Sequence, residues 1–365
     1  MPIETVLLAE PRGFCAGVDM AIKALAWMVR MFEPPVYCFH EIVHNQLVVD
    51  RFEELGVRFV NDISEVPPGA AIMLSAHGSA PEVVERAYAR ERVVVDAVCP
   101  LVTKVHHEAR RRADQGYEIV YVGHAGHDEA VGTLAVAPQS MHLVESESDL
   151  PALFDELGND AAVALLTQTT LSTDEWDGVL RRTQTHYPDL WTAGRSDLCF
   201  ATTNRQAAVR AIAPRCDAII VIGSANSSNT LALAHVASEA GCDLVQRVNG
   251  ADEIDMAVLS SATVVGVTAG ASAPEDIVQA VIERLNPRLG VEHVRVTEED
   301  EYFPPPRGLR ELMPLVEALS AFSVGANPKS GNGGSFSEDR NVDTATTLSA
   351  LSARAGRSEP ANVDL

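Results

Sequence analysis

No stretch of the chain approaches the roughly 18 to 20 consecutive apolar residues that a membrane span requires. The most apolar helical piece, ALAWMV at 24–29, is flanked by Lys23 and Arg30. The start, MPIETVLLAE, lacks the basic residues and the long apolar segment of a secretory signal, so a cytoplasmic protein is expected. A basic surplus is missing as well: 28 Lys and Arg stand against 51 Asp and Glu, a formal net charge of -23. That balance excludes binding of nucleic acid by general charge neutralisation, and an anionic ligand must be held by a local pocket. Cysteine is sparse and scattered. Six residues in 365, with no CxxC pair and no bacterial ferredoxin spacing, exclude a disulfide framework and a simple electron carrier.

What is present is a repeated plan. Cys38, Cys216 and Cys242 sit at or beside short apolar strands, where a buried free thiol is the ordinary reading. Cys15, Cys99 and Cys199 differ, because each stands where an apolar strand gives way to a helical pattern: TVLLAEPRGFCAGVDMAIKAL, VVVDAVCPLVTKVHHEARRR and RSDLCFATTNRQAAVRAIA. The intervals of 84 and 100 residues are on the scale of domains. After each cysteine helix the same order follows, a strand with a polar loop and helix, a short strand leading into an acidic segment, and a third apolar strand ending in a small-residue loop. Short continuous apolar runs alternating with helices predict parallel sheets covered by helices. The expected fold is therefore α/β, with three similar small domains at 1–93, 94–192 and 193–300. Packed as a pseudo-threefold trefoil, they would bring all three cysteines and the strand-end loops to one central iron-sulfur or metal site.

Three thiols at helix starts invite a cation, because the helix dipole favours thiolates. They would suit zinc with an open position, or a cubane iron-sulfur cluster in which one iron lacks a protein ligand. The loops supply the rest of a ligand site. His44, His77, His124 and His127 lie in strand-end loops of the first two copies, and the equivalent loops of the third read GSANSSN and TAGAS. Small hydroxyl and amide side chains with glycine at a helix start bind phosphate, so an anion such as a diphosphate is expected. Glu129, two residues after His127, is unfavourable beside an anion unless it delivers protons; otherwise it is a first-turn helix glutamate. Thr169 and Thr170 stand in TQTT, from which they would either orient a ligand or cap the following helix.

The motifs PRGFCAGV, EIVHN, SAHG, DAVCPLVTKVH, GHAGHDE, TQTTLS, CFATTNRQ, GSANSSN and VTAGASAP, in this order over residues 3–310, resemble the 4-hydroxy-3-methylbut-2-enyl diphosphate reductase family. The resemblance implies the trefoil arrangement and one [4Fe–4S] cluster per chain, ligated by Cys15, Cys99 and Cys199, whose open iron receives the substrate hydroxyl. It implies a two-electron reductive dehydroxylation giving isopentenyl and dimethylallyl diphosphate, the last step of the methylerythritol phosphate route, with ferredoxin or flavodoxin as electron donor. By motif, the diphosphate would be bound by His44, His77, His127, Ser227, Ser228, Asn229 and Ser272. Thr169 would orient the hydroxyl, Glu129 would supply the proton, and His127 and Thr169 would complete its path.

Both donors are ordinarily acidic, so a local basic patch is expected, and HHEARRR at 106–112 is the candidate. Residues 301–325 would close on the core, with one amphipathic helix over 309–322. From Ala326 the chain is rich in Gly, Ser, Asn and Asp, a composition expected to be disordered and given no catalytic role. Two rivals use the same thiol chemistry. A trefoil dehydratase of the quinolinate synthase type needs a dicarboxylate site and no electrons, and the TQTT, GHAGHDE and GSANSSN loops disfavour it. A non-catalytic iron-sulfur sensor would carry a DNA-binding or partner module, which neither charge nor motifs supply.

Overall fold

Short runs of Val, Ile, Leu and Ala become strands, and the amphipathic segments between them become helices. The computed structural model describes residues 3–91, 93–194 and 196–312, with 344 and 347. Along the chain come β1 (Thr5–Glu10), α1 (Ala16–Met31), β2 (Val36–Phe39), α2 (Gln46–Glu53), β3 (Val57–Val60), β4 (Ala71–Leu74), α3 (Pro81–Arg90) and β5 (Val93–Asp96). Next are α4 (Pro100–Asp114), β6 (Glu118–Val122), α5 (Asp128–Leu134), β7 (Met141–Val144), α6 (Leu150–Leu157), β8 (Val163–Thr167), α7 (Thr173–His186) and β9 (Trp191–Thr192). The last are α8 (Phe200–Ile212), β10 (Ala218–Ile222), α9 (Ser228–Glu239), β11 (Val245–Val248), β12 (Val264–Ala269), α10 (Glu275–Leu285) and β13 (Val291–Arg295).

These strands form three parallel sheets, as the alternation of apolar runs and helices predicts. Their orders are β3-β2-β4-β5, β7-β6-β8-β9 and β11-β10-β12-β1-β13. The chain divides into two compact units. One contains residues up to 15, 77–82 and 99–300, with the second and third sheets; the other contains 16–76, 83–98 and residues from 301, with the first sheet.

The central strands β10, β12 and β1 of the five-stranded sheet are buried on both faces, which is why they read as continuous apolar runs, while the edge strands β11 and β13 are only partly buried. Alternate residues face opposite ways: Val6, Leu8, Ile220, Ile222, Val265 and Val267 pack with Val278 and Val281 of α10. On the other side Leu7, Ile219 and Val221 meet Val209 of α8 and Leu233 and Val236 of α9. The second sheet repeats this, with Val120, Leu165 and Trp176 on one face and Ile119, Tyr121, Leu166, Val105 and Ala109 on the other. In the first sheet Tyr37, Phe39, Ile72 and Leu74 form a core with Ala87 of α3.

Two of the strands that lead into the cysteines pair differently from the expected boundaries, whereas β9, before Cys199, pairs with β8 within 94–192. β1 was expected within 1–93 and instead lies between β12 and β13 of the five-stranded sheet, with Leu7 beside Gly266 and Glu292. β5, assigned to 94–192 except for its first residue, pairs with β4. Each such strand thus closes the preceding sheet, β1 closing the last, and the following helix carries the chain onward. Parallel pairing needs only an exposed apolar edge and a crossover, and a boundary drawn from repeats does not register which edge is taken. Residues 307–312 are helical. The remainder of the expected 309–322 helix, and the 326–365 tail apart from 344 and 347, lie outside the described residues.

Candidate active site

In parallel sheets the loops that bind ligands follow the carboxyl ends of strands. Within the larger unit, Cys15 follows β1 and directly precedes α1, while Cys99 and Cys199 are the N-cap residues of α4 and α8. All three are partly exposed free thiols. Backbone N–H groups of Leu101 and Val102 act to lower the Cys99 pKa, and those of Ala201 and Thr202 act likewise on Cys199. This is the direction the helix starts were expected to impose. Burial wins, however: Cys99 is pushed up to about 12 by burial and then by the neighbouring Cys15, and Cys199 is raised by burial, Cys15 and Cys99. The expected low pKa is therefore corrected for Cys99 and Cys199. The three sulfurs lie close enough to repel one another as thiolates, and a cation against them is what would offset that repulsion and their burial. Such a donor set fits a cluster with three cysteine ligands.

The other three cysteines are set apart. Cys38 is buried in β2, Cys242 is buried with its thiol 3.5 Å from the Leu244 carbonyl, and Cys216 packs against the same core. Serine at any of them is expected to cost about 1 to 3 kcal/mol through a poorly partnered buried hydroxyl, with iron content unchanged. Urea denaturation and iron analysis check both, and loss of iron in this set would overturn the sorting.

A continuous hydrogen-bonded framework joins the Cys15 and Cys199 loops. The Cys15 N–H donates to the Ala271 carbonyl at 3.2 Å, and the Ala271 N–H donates to Asn229 Oδ1 at 2.9 Å. Asn229 Nδ2 donates to Thr202 Oγ1 at 3.4 Å, and that hydroxyl donates to the Thr169 carbonyl at 3.0 Å. The same carbonyl accepts the Cys199 N–H at 3.0 Å. Glu129 is 2% exposed, and its carboxylate is held entirely by Thr169: Oε1 accepts the Thr169 N–H at 2.7 Å and Oε2 the Thr169 hydroxyl at 3.0 Å. Burial raises the Glu129 pKa to about 7, against the lowering effect of those two bonds. Glu129 is in the first turn of α5, yet its carboxylate is spent on β8's loop rather than on helix capping. The α7 cap is Ser172, in a reciprocal box with Glu175, so Thr169 and Thr170 are not the cap; Thr170 accepts from Gln168 Nε2 at 2.9 Å.

The anion-binding candidates are placed by the same loops. His127 is the N-cap of α5, and its Nδ1 accepts the Glu129 N–H at 3.1 Å, which makes Nε2 the protonated nitrogen of the neutral ring. The His77 ring stands edge-on to it, centroids 6.0 Å apart. Ser227 caps α9 through Thr230 N, followed by Ser228 and Asn229, all buried. Gly223, which precedes this loop at φ 149, has no room for a methyl group beside Thr230. Ser272, also buried, follows Ala271. His44 belongs to the other unit, one residue before Asn45, the cap of α2, with Nδ1 3.3 Å from Glu41 Oε2; its assignment to a diphosphate rests on its motif.

Thr202 and Gln168, given no role from the sequence, complete the framework, together with His124 of the loop histidines. Gln168 Oε1 accepts the His124 N–H at 3.0 Å, and His124 Nδ1 lies 3.4 Å from Ser228 Oγ. The Glu175 carboxylate, 3.9 Å from His124 Nε2, raises the His124 pKa, which adds positive character beside Ser228. Of the basic run at 106–112, His107, Arg110 and Arg111 are exposed. Arg112 is buried, its guanidinium 4.1 Å over the Trp191 ring, and His106 is lowered to about 4 by burial, so these two are not part of a surface patch.

Known proteins are similar to this chain over most of its length. The family model described as LytB protein matches residues 6–286. The chain is 46% identical over 307 residues to the 4-hydroxy-3-methylbut-2-enyl diphosphate reductase of Rhodopirellula baltica, covering 84% of this chain and 95% of the relative. It is 45% identical over 313 residues to that of Paracoccus denitrificans, covering 85% and 98%. The solved structure of the E-1-hydroxy-2-methyl-but-2-enyl-4-diphosphate reductase from Plasmodium falciparum superposes with a TM-score of 0.82 at 31% identity, over 87% of this chain and 100% of that one. Three parallel sheets, three cysteines at helix starts and this breadth of similarity have one common meaning: the chain belongs to the LytB family of 4-hydroxy-3-methylbut-2-enyl diphosphate reductases.

Proposed function

We propose that this chain reduces 4-hydroxy-3-methylbut-2-enyl diphosphate to isopentenyl and dimethylallyl diphosphate in the cytoplasm, with one [4Fe–4S] cluster on Cys15, Cys99 and Cys199. The observation that carries the reading is the buried Glu129–Thr169 pair, joined through the Thr169 carbonyl to the Cys199 N–H. Held by Cys15, Cys99 and Cys199, the cluster would pass electrons from the external donor one at a time and would present an iron without a protein ligand as a Lewis acid toward the substrate hydroxyl.

The chain's own residues position the substrate and move a proton. His77 and His127 offer ring N–H groups, and Ser227, Ser228, Asn229 and Ser272 offer hydroxyl and amide groups at a helix start, so the diphosphate is held without a lysine cluster. With its pKa near 7, Glu129 carries a proton for much of the time at neutral pH. Protonation at Oε2 reverses its bond with Thr169: the carboxyl then donates to Oγ1, and the Thr169 hydroxyl hydrogen turns toward the substrate hydroxyl. Transfer through Thr169 converts the leaving hydroxyl to water as the allylic C–O bond breaks, and the donor's two electrons with a second proton, added at either end of the allyl fragment, complete the two isomers. Anaerobic turnover with reduced viologen tests the proposal. Two reduced viologens consumed per substrate, with both isomers formed, is the expected result; substrate loss without electron uptake would indicate a dehydratase, and no turnover a sensor.

Ferredoxin or flavodoxin would deliver the electrons to α4, whose exposed Lys104, His107, Arg110 and Arg111 stand out on a chain of charge -23. Replacing Arg110 and Arg111 by Glu is expected to slow ferredoxin-driven turnover by about tenfold at low salt, through lost steering. Viologen-driven turnover of the same variant should be unchanged. Equal ferredoxin rates in variant and wild type would place docking elsewhere.

A further inference from the structure

Arg205 of α8 is fully buried, the largest such side chain among the described residues. A buried guanidinium persists only where its donors are answered. Here they are answered by one particular loop. Nε and Nη2 donate to the Gly13 carbonyl at 3.1 and 2.8 Å, and Nη2 reaches the Phe14 carbonyl at 3.3 Å. Nη1 donates to the Ala201 carbonyl at 2.9 Å and to both oxygens of Glu299 at 3.1 Å. Asn204 Nδ2 holds Glu299 Oε1 at 3.0 Å from the same helix.

The Phe14 carbonyl and the Cys15 N–H belong to one peptide unit. Arg205 holds the carbonyl edge of that unit, and the Ala271 carbonyl holds its N–H edge. One residue earlier, Gly13 turns the chain at φ 67, which presents its carbonyl to the same guanidinium. The helix that carries Arg205 begins at Cys199. From this geometry we infer that Arg205 is a positioning residue that fixes the separation of Cys15 from Cys199, with Glu299 as the counterion that orients its fork. Lysine cannot replace it, because an ammonium on a flexible stem does not span three carbonyls and a carboxylate in fixed directions.

The inference rests on the reading of Cys15, Cys99 and Cys199 as cluster ligands, and its test separates the two. In reconstituted holoprotein, iron release to an external chelator is followed anaerobically, well below the unfolding transition. Arg205→Lys is expected to release iron about tenfold faster or more, the usual effect of losing a group that orients metal ligands, with an unchanged far-ultraviolet dichroism spectrum. Glu299→Gln should act in the same direction by about threefold. Arg210→Gln, which removes an exposed ion pair to Asp174 from the same helix, should leave the rate unchanged. A folded Arg205→Lys that releases iron at the wild-type rate, or equal acceleration in Arg210→Gln, would overturn the inference. If Arg205→Lys fails to fold, an unchanged rate in Glu299→Gln overturns it. Wild-type protein that takes up no iron would instead overturn the cluster assignment itself.

Discussion

Glu129→Gln is expected to bind substrate and to lose turnover by about 10²-fold or more, the usual worth of a positioned general acid. The amide keeps the size of the side chain, and its oxygen still accepts the Thr169 N–H that Glu129 accepts at 2.7 Å. What it lacks is the proton. The effect should therefore appear in kcat at saturating substrate and reductant, with KM little changed. The same group gives stability a pH dependence of definite sign. Its pKa is raised from 4.5 to about 7 by burial, so between these values the folded protein binds more protons than the unfolded chain. Stability is then fully present below about pH 4.5 and is lost as the pH rises to about 7, by a total of about 3 kcal/mol. Glu129→Gln should remove that decline, which denaturation at several pH values would reveal. Near-normal turnover in the variant would show that the proton comes from elsewhere.

Replacing Cys15, Cys99 or Cys199 with serine should abolish turnover in each case and bring iron well below four per chain. A serine hydroxyl is a poor soft-metal ligand, and no other cysteine is placed to substitute. Cys216 and Cys242 are held in the core between the five-stranded sheet and its helices, and Cys38 lies within a strand. These variants should still fold, because Cys15, Cys99 and Cys199 are partly exposed at helix starts rather than core filling. Loss of iron together with retained dichroism is the expected signature. Full iron content in any of the three would contradict the ligand set.

The repeat was legible because parallel strands buried on both faces leave continuous apolar runs, and because the cysteines punctuate them at domain intervals. The partner of β1 was not, since TVLLAE is as apolar as any strand it might have joined. The cap of α7 was written in the sequence as Ser172-x-x-Glu175, a signal stronger than the neighbouring threonines. Burial of Glu129 was not readable, because it depends on the β8 loop folding over α5 from 40 residues away. Arg205 lay inside the quoted CFATTNRQ motif, but its partners are main-chain carbonyls 191 and 192 residues distant, which carry no side-chain pattern. The thiol pKa values failed for a related reason. Helix-start N–H groups are a local feature and act as expected, whereas the burial that outweighs them is set by the assembled fold.

The central claim is that a neutral Glu129, buried against Thr169 in the framework that joins the Cys15 and Cys199 loops, is the proton source. Infrared difference spectra of wild type against Glu129→Gln, titrated between about pH 5 and about pH 9, observe that carboxyl directly. The account predicts a protonated carbonyl band, absent from the variant, that disappears with a midpoint near the raised value of about 7, in step with a fall in kcat. A carboxylate already ionised at pH 5, with turnover indifferent to it, would contradict the account.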